Sequence, residues 1–312
     1  MSIAETGEFG LIARIVARLD SGQGALLGPG DDAAVVAAPD GRMVASTDML
    51  VEGRHFRRDW SGAADVGHRA AAANLADIVA MGAQPTALLV GLCVPTDLDV
   101  SWAEELAGGL SAEAGLVGAS VVGGDMSASA TLTVAVTALG DLRGAAPVLR
   151  SGAQPGDVVA LAGRTGHAAA GYAVLSRGFR TPKAFVEAYR RPQVPYAAGT
   201  AAARLGATAM IDVSDGLLQD LGHVATASVV GIDVRREAFT VPEQMRDAAS
   251  ALGVDPYVWV LTGGDDHALV ATFPPSVTLP ENWRIIGAVH EGTGVTVDRR
   301  EWQGGMGWDH FR

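Results

Sequence analysis

Apolar residues in the first half of the chain recur with two alternating periods, which predict helices and strands in turn. Helical spacing runs over residues 8–19, 65–81 and 101–115. Short apolar runs predict strands over 43–46 and 87–94 and at 121–122. Residues 131–139 alternate cleanly, which predicts a strand that is half exposed or faces another sheet. Ser101, with Glu104 three residues later, predicts the N-cap and capping box of the third helix.

The second half of the chain shows the same alternation of predicted strands and helices, after a stretch of different composition. Glycine and proline crowd together around residues 140–156, and we place a domain boundary there, giving domains 1–145 and 146–312. Beyond it we predict strands over 158–162, 210–213, 232–234, 268–273 and 285–289, and helices over 166–176, 184–189, 197–205 and 217–227. Because strands alternate with helices in both halves, the pattern predicts two α/β or α+β domains.

Charge and composition narrow the class of protein. The 312 residues include 35 acidic and 23 basic side chains, a formal net charge of -12, which argues against nonspecific nucleic-acid binding. No apolar run approaches the roughly 20 residues of a membrane-spanning helix, and the first residues lack the charged and apolar regions of a signal peptide. The single cysteine, Cys93, excludes an intrachain disulfide. We therefore expect a cytoplasmic protein without nucleic-acid or membrane partners.

Carboxylates stand beside glycine or hydroxyl residues in five short segments, which we predict at the ends of strands. They are Gly30-Asp31-Asp32, Ser46-Thr47-Asp48, Gly123-Gly124-Asp125, Asp212-Val213-Ser214-Asp215-Gly216 and Gly263-Gly264-Asp265-Asp266. A sixth carboxylate, Asp77, lies in an alanine-rich predicted helix. Taken singly, each segment is as compatible with an ordinary turn, because glycine adopts positive φ and aspartate bonds its own backbone.

Taken together, the acidic segments indicate a phosphate site built on cations. Clustered carboxylates repel one another unless cations lie between them, and hard oxygen ligands suit Mg²⁺, which bridges to substrate phosphates. Neighbouring glycines allow backbone N–H groups to approach phosphate oxygens. The sequence has no P-loop motif, and Lys183 is its only lysine, so cations rather than lysines would neutralise a transferred phosphate. We predict a site that holds several Mg²⁺ ions and a phosphorylated ligand.

Four longer motifs carry a resemblance to a known family. They are Ser46-Thr47-Asp48-Met49-Leu50-Val51-Glu52-Gly53-Arg54-His55-Phe56, Asn74-Leu75-Ala76-Asp77-Ile78-Val79-Ala80-Met81-Gly82-Ala83, Met210-Ile211-Asp212-Val213-Ser214-Asp215-Gly216-Leu217 and the C-terminal Gly307-Trp308-Asp309-His310-Phe311. With these motifs the chain resembles the thiamine-monophosphate kinases, whose superfamily includes aminoimidazole ribonucleotide synthetase and selenophosphate synthetase. The resemblance spans essentially the whole length.

The resemblance implies an α/β (α+β), two-domain PurM-like fold with the active site in the cleft between the domains. Domain 1–145 would bind metal and ATP and form a homodimer by joining sheets across a two-fold axis. Domain 146–312 would complete the nucleotide and substrate sites. The implied activity is direct, Mg²⁺-assisted transfer of a phosphoryl group from ATP to thiamine monophosphate, which yields thiamine diphosphate.

The resemblance also implies roles for individual residues. Asp48, Asp125 and Asp215 are the expected catalytic residues. The expected Mg²⁺ ligands are Asp32, Ser46, Thr47, Asp48, Asp77, Asp125, Asp212 and Asp215. The expected nucleotide contacts are Gly124, Asp125, Arg150 and Ser214, and the expected substrate contacts are His55, Asp265 and Trp308.

The chain departs from the family pattern at one of these positions. The family usually has Gly-Gly-Glu-Asp-Tyr where this chain has Gly263-Gly264-Asp265-Asp266-His267, and Asp265 is one methylene shorter than glutamate. Two other hypotheses about the function remain open from the sequence. One is a related ATP-using enzyme with a different acceptor, and the other is a noncatalytic regulator that binds Mg²⁺ and nucleotide.

Overall fold

The structure, a computed structural model, describes residues 3–6, 8–20, 25–27 and 35–308. It divides into two compact units. The first ends at Ala145 and omits Val79–Gly82, whereas the second consists of Val79–Gly82 together with the chain from Ala146 onward. Asp32, an expected metal ligand, lies outside the described residues.

The first unit is built on a four-stranded sheet. Its strands are β3 (Val44–Val51), β4 (Gln84–Val94), β5 (Ser120–Ala128) and β6 (Thr133–Asp141), after a small two-stranded sheet of β1 (Ala25–Leu27) and β2 (Val35–Val36). The order is β3-β6-β4-β5, with β4 and β5 parallel and the other pairs antiparallel. The helices are α1 (Ile3–Thr6), α2 (Glu8–Val16), α3 (Ala63–Ala80) and α4 (Val100–Gly115).

The alternation predicted for residues 131–139 is confirmed in β6, where Val134 and Val136 are fully buried and their neighbours are partly exposed. Helices α3 and α4 touch through two glycines. A Cβ on Gly109 would lie 2.2 Å from the Ala64 carbonyl oxygen, and one on Gly67 equally close to that of Leu106. The two helices can approach this closely because neither position carries a side chain.

The predicted N-cap of α4, Ser101, is wrong by two residues. Asp99 is the N-cap, and its side chain accepts a hydrogen bond from the Ser101 backbone N–H at 2.8 Å. Glu104 forms no capping box, because its carboxylate is paired with Arg14 and Arg18. An aspartate at the N-cap competes well with serine, so the local sequence offered two adjacent candidates.

The second unit has a six-stranded mixed sheet. Its strands are β7 (Val158–Ala162), β8 (Ala209–Val213), β9 (Gly231–Val234), β10 (Ala268–Phe273), β11 (Trp283–His290) and β12 (Gly294–Val297), in the order β12-β9-β11-β7-β10-β8. Only the β12–β9 pair is parallel. The helices are α5 (His167–Ser176), α6 (Lys183–Arg190), α7 (Tyr196–Leu205), α8 (Leu217–Ser228), α9 (Glu243–Leu252) and α10 (Pro256–Thr262).

Both faces of this sheet are buried. Along β7, Val159 and Leu161 belong to one hydrophobic core, and Ala160 and Ala162 belong to another. Continuous apolar runs are typical of strands buried on both faces. This accounts for the success of the prediction at β7 and β10, whose bounds are confirmed to the residue. Helices α9 and α10 and strand β12 were not predicted.

None of the helices in the described ranges combines the length and the apolar content that a membrane crossing requires. The predicted placement of the acidic segments at strand ends is correct in the second unit, where Ser214-Asp215-Gly216 follows β8 and Asp265-Asp266-His267 precedes β10. It is wrong for two segments of the first unit, whereas the third, Gly30-Asp31-Asp32, lies outside the described residues. Both edge strands of the sheet, β3 and β5, continue past their acidic segments. The segments Ser46-Thr47-Asp48 and Gly123-Gly124-Asp125 therefore lie inside these strands.

Candidate active site

Strand β3 and helix α3 hold two of the expected ligands together. The Ser46 hydroxyl donates to Asp77 Oδ2 at 2.5 Å. One turn earlier on α3, the buried Asn74 accepts a hydrogen bond from the Asp48 backbone N–H at 2.9 Å and donates to the Ala70 carbonyl at 2.9 Å. Residues three apart lie on one helix face, so Asn74 and Asp77 meet the same strand. The backbone that carries Asp48 is therefore fixed, while its side chain is exposed.

Thr47 is oriented differently from its neighbours. Its hydroxyl donates to the Val136 carbonyl at 2.9 Å and accepts from the Thr137 hydroxyl at 3.1 Å. Successive side chains of a strand point to opposite faces, so the Thr47 hydroxyl faces away from the side on which Ser46 meets Asp77. The structure does not bring this hydroxyl to Asp77, and its role as a ligand stays a prediction.

Gly124 and Asp125 lie in β5, on the opposite edge of the sheet from Asp48. A Cβ on Gly124 would lie 2.0 Å from the Val90 carbonyl oxygen, so this position requires glycine. The strand register places four residues in one row across the sheet: Asp48, Val136, Val90 and Gly124. Three strand spacings separate the ends of this row by about 14 Å. Within one copy, the structure does not bring Asp48 and Gly124 together.

His55 lies in the turn after β3 and is half-buried. Its Nδ1 accepts a hydrogen bond from the Val51 backbone N–H at 3.0 Å. Because Nδ1 is an acceptor, the neutral ring carries its proton on Nε2. The backbone thus fixes both the orientation and the tautomer of the ring. The expected role of His55 in substrate binding stays a prediction.

In the second unit, the end of β8 presents a buried carboxylate paired with an imidazole. Asp212 Oδ2 lies 3.0 Å from His267 Nδ1, and both side chains are buried. A carboxylate can only accept a hydrogen bond, so Nδ1 carries the proton of the neutral imidazole here. His267 was singled out from the sequence only as a departure from the family pattern. Its partner is apparent only from the pairing of β8 with β10.

Asp220 supports the turn that carries Ser214 and Asp215. Its Oδ2 accepts hydrogen bonds from the backbone N–H groups of Asp215, at 3.2 Å, and Gly216, at 3.0 Å. Burial, reinforced by the negative charges of Asp212 and Asp215, raises the pKa of Asp220 to about 8. Sequence reasoning missed this residue. An aspartate among leucines one turn into α8, shortly after the acidic motif, was the available signal.

The segment before β10 lies against the same turn. The Asp265 backbone N–H donates to the Ser214 carbonyl at 2.8 Å, and a Cβ on Gly264 would lie 2.2 Å from that carbonyl oxygen. The next residue, Asp266, accepts from the backbone N–H groups of His167 and Ala168 at 2.9 and 3.1 Å and so caps α5. Burial raises the pKa of Asp266 to about 7.

The structure brings Trp308 to this turn but not Arg150. The Trp308 backbone N–H donates to the Asp215 carbonyl at 2.9 Å, and its side chain is 53% exposed. The Arg150 carbonyl instead accepts from the Ser228 hydroxyl at 3.1 Å. Ser228 is the last residue of α8, whereas Asp215 precedes its start, so about 18 Å of helix lies between them. The nucleotide contact expected of Arg150 stays a prediction.

The oxygen donors fit Mg²⁺ in their chemistry. Across the described ranges, no three His, Cys, Asp or Glu side chains are grouped so as to hold a metal ion by themselves. Mg²⁺ commonly takes one or two protein carboxylates and completes its shell with substrate phosphates and water. The exposed carboxylates of Asp48 and Asp125, and the Ser46–Asp77 pair, offer donors suited to that mode of binding.

The fold and these acidic segments define the class of protein. Residues 30–142 match the family described as AIR synthase related protein, N-terminal domain. Solved structures of the hydrogenase maturation protein HypE share the fold, with a TM-score of 0.71 and 18% identity for the protein from E. coli, covering 92% of each chain.

Within this class, the chain belongs to the thiamine-monophosphate kinase family. It is 51% identical over 315 residues to thiamine-monophosphate kinase from Mycobacterium tuberculosis, covering 99% of this chain and 93% of the relative. The crystal structure of thiamine-monophosphate kinase from Stenotrophomonas maltophilia has a TM-score of 0.81 at 33% identity, covering 95% of this chain and 98% of that one. AaThiL complexed with AMPPCP and TMP has a TM-score of 0.81 at 32% identity, covering 100% and 99%. The resemblance inferred from the motifs is confirmed, as is the two-domain PurM-like fold.

Proposed function

We propose that this protein transfers the γ-phosphoryl group of ATP to thiamine monophosphate and releases thiamine diphosphate and ADP. The observation that carries the proposal is agreement in sequence and fold over the whole chain with thiamine-monophosphate kinases, among them AaThiL complexed with AMPPCP and TMP. The location that fits such an enzyme is the cytoplasm, where ATP is available.

The reaction is a direct transfer between two phosphates. The bond between the γ-phosphorus and its bridging oxygen breaks, and an oxygen of the acceptor phosphate forms the new bond, so no phosphoenzyme is formed. Both reactants are anionic, and catalysis of such a transfer is chiefly positioning and neutralisation of charge. Bound Mg²⁺ would supply positive charge at the phosphates, where a chain with one lysine and no P-loop offers no lysine cradle.

The chain contributes to the reaction by holding carboxylates in place. In the first unit, Asp48 has its backbone fixed by Asn74, and Asp77 is fixed by Ser46. In the second unit, the backbone of Asp215 is fixed by Asp220. Ligands held by their own hydrogen bonds need little reorganisation when a cation and phosphates bind. The proposed Mg²⁺ ligands remain Asp32, Ser46, Thr47, Asp48, Asp77, Asp125, Asp212 and Asp215.

The remaining proposed contacts bind the nucleotide and the acceptor. Gly124, Asp125, Arg150 and Ser214 are the proposed nucleotide contacts. His55, Asp265 and Trp308 are the proposed acceptor contacts, with the exposed indole suited to stack on a cationic thiazolium or a flat pyrimidine. The backbone of Asp265 lies against Ser214 and that of Trp308 against Asp215, so two of the acceptor contacts lie beside one turn.

We also propose that the protein is a homodimer formed through the sheet of the first unit. The sheet face opposite the buried Val134 and Val136 is partly open, with Met49 58% and Leu89 38% exposed. Because β3 and β5 are the two edge strands, joining β3 of one copy to β5 of another would make them neighbours, about 5 Å apart. Asp48 of one copy and Gly124 of the other would then contact the same nucleotide, although the two residues lie at opposite sheet edges within one copy.

The test of the function is an incubation of the pure protein with ATP, Mg²⁺ and thiamine monophosphate. We expect equal amounts of thiamine diphosphate and ADP, with unphosphorylated thiamine as the control acceptor. Consumption of ATP with a different acceptor alone would favour a related enzyme of the superfamily. Tight nucleotide binding without turnover would favour a noncatalytic regulator.

A further inference from the structure

The C-terminal segment is docked onto the turn between β8 and α8. Both backbone polar groups of Trp308 take part, because its N–H donates to the Asp215 carbonyl at 2.9 Å and its carbonyl accepts from Gln219 Nε2 at 2.7 Å. The preceding residue must be glycine for this approach. A Cβ on Gly307 would lie 2.5 Å from the Asp215 carbonyl oxygen and 2.7 Å from Gln219 Cβ.

Gln219 connects this segment to the acidic motif. In addition to the Trp308 carbonyl, its side-chain Nε2 donates to Asp215 Oδ2 at 3.3 Å. A primary amide offers two N–H donors on one nitrogen, which allows one side chain to bond both acceptors at once. Gln219 lies in the first turn of α8, whose position is fixed by the buried Leu217 and Leu218. The amide is therefore presented from a rigid element.

Packing on the core also holds the docked segment, because Trp302 and Met306 are partly buried against the hydrophobic core of the second unit. After β12 ends at Val297, the described residues 301–308 contain no helix or strand. The Trp308 side chain itself is 53% exposed. The two backbone hydrogen bonds at Trp308 fix the segment directly on the Asp215 turn, just beyond the packed Met306.

We propose that Gln219 is a positioning residue that holds Gly307–Trp308 on the Asp215 turn and thereby sets the indole against the phosphate acceptor. The assignment of the indole to the acceptor rests on the proposed function, whereas the docking does not. Gln219 itself touches no reacting atom. It acts through the Trp308 carbonyl, to which its bond of 2.7 Å is much shorter than its 3.3 Å contact with Asp215 Oδ2.

The test compares three single variants of the full chain. Gln219→Met keeps the length and helix propensity of the side chain but removes both donors. Gly307→Ala disturbs the same contact from the other side. Gln244→Met is the matched control, because Gln244 is exposed on α9. For the first two variants we expect the KM for thiamine monophosphate to rise about five-fold, the factor that one ordinary hydrogen bond is worth, with the KM for ATP changed less than about two-fold. The control should match wild type.

Hydrogen–deuterium exchange gives a second readout that does not depend on turnover. The Trp308 amide should exchange faster in Gln219→Met and Gly307→Ala than in wild type and in Gln244→Met. A wild-type protein without kinase activity would refute the proposed function. The exchange rate of the Trp308 amide would still show whether Gln219 holds Gly307–Trp308 on the Asp215 turn. Unchanged exchange and an unchanged KM in Gln219→Met would overturn the proposal. An equal rise in both KM values would also overturn it, because Gln219 would then order the turn as a whole.

Discussion

The separation of Asp48 and Gly124–Asp125 on opposite edges of one sheet leads to a prediction about paired copies. Asp48→Asn and Asp125→Asn should each lose most kinase activity and remain folded, because both side chains are exposed. A mixed dimer of the two variants contains one doubly altered site and one intact site if β3 of each copy works with β5 of the other. When subunits associate at random, half of the dimers are mixed and half of their sites are intact, so activity should recover to about a quarter of wild type.

The assay requires co-expression or co-refolding of the two variants, followed by native mass spectrometry to count mixed dimers. Turnover is then measured with ATP and thiamine monophosphate at saturating Mg²⁺. The control is each variant co-refolded with itself, which should stay inactive. Mixed dimers that are present in quantity but no more active than the parent variants would refute the shared site. Near-normal activity of Asp48→Asn alone would remove Asp48 from the proposed metal ligands.

Three further predictions concern the support of the site and of the fold. Asn74→Leu removes the acceptor for the Asp48 N–H and the donor to Ala70, so urea unfolding should show a loss of about 2 kcal/mol together with reduced turnover. Gly109→Ala should destabilise the first unit by about 2 kcal/mol by forcing α3 from α4, whereas Gly108→Ala, with open space around it, should be neutral or stabilising in the same measurement. The raised pKa of Asp266, about 7, means that the folded state binds its proton more tightly than the unfolded state. Its contribution to stability is therefore full below about pH 4 and lost as pH rises through 7, so the free energy of unfolding relative to Asp266→Asn should fall by as much as about 4 kcal/mol over that range.

Much of the fold could be predicted because its signal is local. The strands β7 and β10 are continuous apolar runs, and β6 alternates strictly, so a few adjacent residues specify each of them. Helices α9 and α10 were not predicted, because α9 is largely polar and α10 is only seven residues long. The N-cap of α4 was misplaced because Asp99 and Ser101 are both good caps.

The sequence by itself determined the types of residue that the chemistry requires and their place in recurring motifs. It singled out Asp48, Asp77 and Asp215 as candidate ligands without any knowledge of their surroundings, since the motifs are contiguous in the chain. Their supporting partners were not accessible in the same way. The Asn74 amide that fixes Asp48 was visible in its motif, but its role depends on how α3 packs on β3.

Only the tertiary structure decided which of these residues meet. It joined Gln219 to Trp308, 89 positions away in the chain, and Asp212 to His267, 55 positions away. It also placed Asp48 and Gly124 at opposite sheet edges, although both belong to similar acidic motifs. Strand order and helix docking follow from burial summed over the whole unit, so no short stretch of sequence contains that information.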